Sequence, residues 1–163
     1  MATFTHDGVE IAYLDEGTGD AILLIHGFAS NRTTNWVDTG WVKLLVADGR
    51  RVIALDNRGH GASSKLYDPT AYTAPAMAED ARALLDHLGL ARADVMGYSM
   101  GARITAFLAM AHPDRVRSAI FGGLGLNMIR PMAGTGPIAA ALEAPHIDEV
   151  VSATARTFRA FAE

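Results

Sequence analysis

A short strand-like run, Asp94-Val95-Met96, leads directly into Gly97-Tyr98-Ser99-Met100-Gly101, and a long apolar stretch from Ala102 to Ala111 follows. A strand that becomes a helix over so few residues leaves no room for side chains where the two come together. Glycine at 97 and 101 supplies that room. The residue at the apex is pushed into a strained backbone conformation, and its hydroxyl is lifted above the C-terminal end of the strand. The new helix points its N-terminal N–H groups at the same spot. The bland reading is a buried glycine turn with an incidental serine, since the five-residue pattern alone recurs by chance. Its strand–turn–helix setting favours Ser99 as a nucleophile.

The remaining pattern agrees with a sheet built around that turn. Val9 to Leu14 alternates apolar and polar residues, as a half-buried strand in a hairpin near the start would. Ala21 to Ile25 and Val52 to Leu55 are continuous apolar runs, as expected of parallel strands covered on both faces. Trp41 to Ala47 reads as a helix stopped by Gly49. A longer helix starts at Thr73 as N-cap, with Tyr72 and Met77 at the spacing of a hydrophobic staple. It carries an apolar stripe of Met77, Ala81, Leu84, Leu85 and Leu88 up to Gly89. Pro113 ends the apolar helix from Ala102, which is expected to be largely buried, and Val116 to Phe121 makes another strand. Strands alternating with helices predict an α/β fold with a mostly parallel sheet and right-handed crossovers. Beyond Gly125 the pattern changes. Pro131, Gly134, Gly136 and Pro137 mark a flexible stretch. Ile138 to Leu142 and then Ile147 to Phe161 read as helical, with Ile147, Val150, Val151, Phe158 and Phe161 on one face.

Composition excludes several functions. The formal net charge is −4 and the 14 Lys and Arg are scattered, so no basic patch suggests nucleic acid as a partner. With no cysteine, disulfides, thiolate metal sites and a cysteine nucleophile are ruled out. No histidine pair has metal-binding spacing, and no cofactor is expected. The start of the chain lacks a charged-then-apolar signal, and no run approaches the ~20 apolar residues of a membrane span. A soluble, cytoplasmic protein without membrane contact is the expectation.

His26-Gly27-Phe28 closes the Ala21–Ile25 strand. Its loop can aim the backbone N–H of Phe28 at the carbonyl oxygen of a substrate on Ser99, with the N–H of Met100 as second donor. Gly27 and Tyr98 are then neighbours of the substrate pocket. His26 reads as a loop-organising residue and not as a general base.

Three motifs, IHGF at Ile25 to Phe28, LDNRGHGAS at Leu55 to Ser63 and GYSMG at Gly97 to Gly101, occur together in this order. On them the chain resembles an α/β-hydrolase of the serine esterase, lactonase and haloperoxidase-like type. The resemblance implies a three-layer sandwich, with residues 1–125 an incomplete hydrolase core and 126–163 the start of a helical cap. It implies Ser99 as nucleophile, Phe28 and Met100 as the oxyanion hole, and a small-molecule acyl substrate. Asp56, Arg58 and His60 fall in a loop that is usually structural in such proteins. A serine at 99 argues against the dehalogenase branch, whose nucleophile is an aspartate.

The departure from the family concerns the rest of the triad, which follows in the order serine, acid, histidine. The strands that normally carry the acid and histidine have no counterpart here, so the chain resembles an N-terminal portion ending after about the sixth strand. The variant acid position after the Ile120 strand reads Gly122-Gly123-Leu124-Gly125. His6 precedes the first strands, His60 sits in a glycine turn, His87 has a solvent-facing or packing role, and His112 is placed as a dipole partner at a helix end. Only His146, near Asp148, offers itself as a base. Weak or absent turnover is the expectation. The alternative is a non-catalytic fold fragment that oligomerises or binds. In that reading a homodimer forms through the open edge of the Ile120 strand or through the C-terminal helix.

Overall fold

The computed structural model describes residues 2–125 and 136–160. They divide into two compact units, Met1–Leu124 and Gly125–Glu163. In the first unit the strands are β1 (Ala2–His6), β2 (Val9–Glu16), β3 (Ala21–Ile25), β4 (Arg51–Leu55), β5 (Ala93–Tyr98) and β6 (Val116–Gly122). The helices are α1 (Trp41–Ala47), α2 (Ala74–His87) and α3 (Met100–Ala111). Six strands form one sheet in the order β1-β2-β4-β3-β5-β6. β2 runs antiparallel to both of its neighbours, and β4, β3, β5 and β6 are parallel.

Strand periodicity decides which helix covers which face. Leu23, Ile25, Ile53, Leu55 and Val95 pack with Met77, Ala81, Leu84 and Leu85 of α2 and with Ile104 and Leu108 of α3. The intervening residues Ile22, Leu24, Val52 and Ala54 pack with Val42 of α1 and with Trp36. Buried on both sides, β3 and β4 read as continuous apolar runs for this reason. This is the three-layer α/β architecture expected from the alternation of elements.

The α2 helix forms as its sequence dictates. Thr73 accepts a hydrogen bond from the Ala76 N–H at 3.3 Å, and Pro75 lies in the first turn, where a missing N–H costs nothing. In α3 the expected burial holds for one side only. Ile104, Thr105 and Leu108 are buried, but Met110 is 69% exposed because its face points away from the sheet. The loose segment after Phe28 contains a five-residue π-helical turn, Thr33–Val37, which seats Trp36 in the core.

In the second unit the expected long helix from Ile147 to Phe161 is broken. It consists of a 3₁₀ turn, Ile147–Glu149, and a separate helix, Ala153–Ala160, here α5. Val150 is buried with Ala141 and Ala155, so the chain bends there to bury it and leaves Val151 exposed. Ser152 then accepts a hydrogen bond from the Ala155 N–H at 3.3 Å and starts the new helix. Gly136 and Pro137, expected in a flexible stretch, open the helix Gly136–Glu143, here α4. Pro131, Gly134 and Phe161 lie outside the described residues.

Candidate active site

Ser99 sits between β5 and α3 with φ 53° and ψ −115°, a conformation costing a non-glycine residue about 1–3 kcal/mol. Its carbonyl accepts from the N–H groups of Ala102 and Arg103, and its own N–H donates to the Gly122 oxygen at 2.8 Å. The turn is therefore tied to the end of β6. The need for glycine on either side is steric. A Cβ on Gly97 would lie 2.5 Å from Thr105 Oγ1, and one on Gly101 would lie 2.6 Å from the Ile25 carbonyl carbon and 2.7 Å from the His26 oxygen.

The Ile25–Phe28 segment lies against the serine. A Cβ on Gly27 would be 3.4 Å from Ser99 Cβ and 3.4 Å from the Tyr98 oxygen, so Gly27, Tyr98 and Ser99 meet at one point. Asn35 fixes the loop by accepting the Gly27 N–H at 3.0 Å. Ala29, directly after Phe28, also has a left-handed backbone, at φ 54°. Among the described residues the non-glycine positions of this kind are Asp7, Ala29 and Ser99, and two of them flank this site. Phe28 and Met100 are brought together as walls of one cavity of about 370 Å³, completed by Gly59, His60, Tyr72 and Met77. As the first residue of α3, Met100 has an N–H with no acceptor within its own helix.

The five histidines of the first unit are held in other tasks. His26 is fully buried and bonds Gly27 O through Nδ1 at 2.7 Å, while Nε2 accepts the Asn57 N–H at 3.0 Å. Burial is the main cause that lowers its pKa from 6.5 to about 4. His6 ends β1, instead of preceding the strands, and its Nδ1 lies 2.8 Å from Asp80 Oδ1. His60 Nδ1 bonds Arg58 O at 3.0 Å. His87 stacks on Phe4 and meets the Tyr13 hydroxyl. His112 stands at the end of α3, as expected, and its ring also lies 2.6 Å from a carboxylate, Glu79 of α2. Among the described residues none of these rings hydrogen-bonds Ser99. His146 belongs to the second unit.

The loop after β4 is organised by buried charge. Asp56 accepts from the Arg32 N–H and guanidinium and from the Ala62 N–H. Arg58 makes a two-pronged pair with Asp80 at 2.6 and 2.7 Å and also donates to Ala71 O. Sequence reasoning missed Asp80, whose partners His6 and Arg58 lie 74 and 22 positions away, and Asn35, whose bond to the Gly27 N–H spans a loop with no periodicity to mark it. It also read His60 as structural only, whereas the ring lines the cavity beside Phe28, 5.9 Å between centroids. Among the described residues no group of three or more His, Asp or Glu side chains is arranged to hold a metal ion.

The neutral, buried His26 implies a pH dependence. Above pH 6.5 the ring is uncharged in both the folded and unfolded chain. Below it the unfolded chain takes up the proton first, so stability falls with pH until the folded ring titrates near 4. The full loss is about 3 kcal/mol for a shift of this size. Asp94, held well below the usual carboxylate range chiefly by its hydrogen bonds from Arg117, loses its contribution only at lower pH still. Urea midpoints taken between pH 7.5 and 4.5 are expected to decline in the wild type and to change less in His26→Gln. Equal slopes would assign the acid limb to other groups.

A family model described as the alpha/beta hydrolase fold matches residues 20–160. The chain belongs to this family. It is 37% identical over 117 residues to a non-heme chloroperoxidase of Kitasatospora aureofaciens, covering 71% of this chain and 41% of the relative. An epoxide hydrolase of Siraitia grosvenorii is 31% identical over 119 residues, covering 72% of this chain and 36% of that one. Among solved structures, a probable hydrolytic enzyme from Pseudomonas aeruginosa PAO1 superposes with a TM-score of 0.64 at 36% identity, covering 72% of this chain and 38% of that one. The alpha/beta hydrolase chain described here thus spans about two fifths of the length of these relatives. No helix among its described residues is long and apolar enough to cross a membrane.

Proposed function

We propose that this chain carries the nucleophile part of a serine hydrolase acting on an ester or related acyl compound. In this reading Ser99 Oγ attacks the substrate carbonyl carbon while a base takes the hydroxyl proton. The carbonyl oxygen becomes an oxyanion facing the N–H groups of Phe28 and Met100, each worth about 2.7–4 kcal/mol of barrier in such sites. Collapse expels the alcohol with a returned proton and leaves an acyl group on Ser99, which water then removes. A hydroxyl at 99 favours acyl transfer. Displacement at a saturated carbon calls for a carboxylate nucleophile, whose ester product water can open. The base is supplied from outside the first unit, whose histidines are otherwise engaged, and residues 126–163 are read as the start of a helical cap.

The observations that carry this reading are the strained Ser99 at the N-terminus of α3 and a cavity walled by Phe28 and by Met100, the residue that follows Ser99. Short-chain nitrophenyl esters test it. The 163-residue chain is expected to release about one equivalent of nitrophenol slowly, with little turnover, and Ser99→Ala is expected to release none above background. Rapid turnover unaffected by Ser99→Ala would refute it.

A second reading, a self-associating binding module without catalysis, is favoured by β6. That strand stands at the end of the sheet with Ile120 47% and Phe121 45% exposed, and an open apolar edge invites pairing with a second copy to give a homodimer. The ester assay separates the two, because the second reading has no Ser99-dependent release.

A further inference from the structure

The cavity walled by Phe28 and by Met100, which follows Ser99 in the chain, has a definite chemistry. None of its lining residues, Phe28, Gly59, His60, Tyr72, Met77 and Met100, carries a fixed charge. The Tyr72 hydroxyl and one nitrogen of the His60 ring are tied to backbone. The Tyr72 hydroxyl donates to Leu66 O at 2.6 Å and accepts the Leu66 N–H at 2.8 Å, and His60 Nδ1 is held by Arg58 O. The wall therefore offers a ligand two aromatic rings, an imidazole ring and two polarizable thioethers. A carboxylate or phosphate entering it would be desolvated without a cation among the lining residues. At about 370 Å³ the space is at the lower end of the ~300–1,000 Å³ typical of small-molecule sites.

Rigidity is uneven around this wall. Met77 is buried in the first turn of α2, seated in the main core with Ala81 and Leu84, so it cannot swing aside as an exposed side chain would. Gly59 lies at φ 79°, and any Cβ there would run into the Tyr72 ring, which keeps that wall thin. Resting on the nucleophile reading above, we propose that this cavity receives the acyl part of the substrate, that this part is compact, uncharged and apolar, and that Met77 sets its length.

The first test needs no catalysis. The Ser99→Ala chain, labelled at its methionine methyl groups with carbon-13, is titrated with ethyl hexanoate and, separately, with the hexanoate anion. The resonances of Met77 and Met100, assigned through Met77→Leu and Met100→Leu, are expected to shift with the ester, while the exposed Met110 stays unmoved. The anion is expected to need at least tenfold higher concentration. An unmoved Met77 resonance, or an equally effective anion, overturns the proposal. The second test follows Ser99 acylation by nitrophenyl esters from acetyl to decanoyl, by intact mass with imidazole present as base. Met77→Ala, confirmed as folded, is expected to raise the decanoyl-to-acetyl ratio at least fivefold. An unchanged ratio overturns the length assignment and leaves the nucleophile standing. Methyl shifts without any Ser99 adduct overturn the nucleophile and the acyl orientation together.

Discussion

Gly101→Ala is expected to cost the fold about 3 kcal/mol or more, a large share of the ~5–15 kcal/mol that a domain of this kind has in total. The cause is local and rigid. The added methyl carbon would sit 2.6 Å from the Ile25 carbonyl carbon and 2.7 Å from the His26 oxygen, both backbone atoms of or next to the doubly buried strand β3. Side chains at the rim of a core can rotate away from an intruder, but strand backbone hydrogen-bonded on both sides cannot, so α3 must lift from the sheet. That movement would turn the Met100 N–H away from the proposed oxyanion position, coupling lost stability to a lost site. Gly125→Ala is the matched control, since nothing lies within 4 Å of a Cβ there and its backbone is not left-handed. Urea denaturation of the two variants is expected to place Gly125→Ala within about 0.5 kcal/mol of the wild type. Equal stability of the two would mean that the turn is looser than its geometry implies.

Asp80→Leu is expected to cost about 3–5 kcal/mol, because it leaves the Arg58 guanidinium buried without a counter-charge. Asp80 is 1% and Arg58 6% exposed, and the two-pronged pair is joined by His6 from the end of β1. One carboxylate therefore ties α2, the hairpin and the loop after β4 together. A buried pair is a weak source of net stability but a costly thing to break. The double variant Arg58→Met, Asp80→Leu is accordingly expected to recover at least half of the loss. Chemical denaturation of both variants checks this, and a single-variant loss below about 1 kcal/mol would show the pair to be dispensable. Arg58 also belongs to the loop that presents Gly59 and His60 to the cavity, so the single variant is expected to impair ligand entry as well.

What the sequence made legible was local. The Gly97–Gly101 turn, the runs forming β3 and β4, and the capped stripe of α2 each depend on neighbours within about a dozen residues, so pattern alone locates them. The Arg58–Asp80 and His6–Asp80 contacts join residues 22 and 74 positions apart, and no periodicity encodes such a pairing. The cavity was hidden for the same reason, since its wall is assembled from the segments around Phe28, His60, Tyr72–Met77 and Met100. In the second unit the 3, 4 spacing of Ile147, Val150 and Val151 suits a helix. The burial of Val150 against Ala141 and Ala155 outweighs it, and Ser152 was the overlooked cap signal. His112 was legible in part. Its place at a helix end was read correctly, but its partner, Glu79, came from another helix.

The most direct measurement is the intact mass of the purified chain after a fluorophosphonate probe, with and without added imidazole, beside Ser99→Ala. The proposed oxyanion site at Ser99, with no histidine of the first unit hydrogen-bonded to the serine among the described residues, predicts slow labelling, one adduct per chain, acceleration by imidazole, and no adduct in Ser99→Ala. An adduct that persists in Ser99→Ala, or a folded chain that stays unlabelled at high imidazole, would contradict the assignment of Ser99 as the nucleophile.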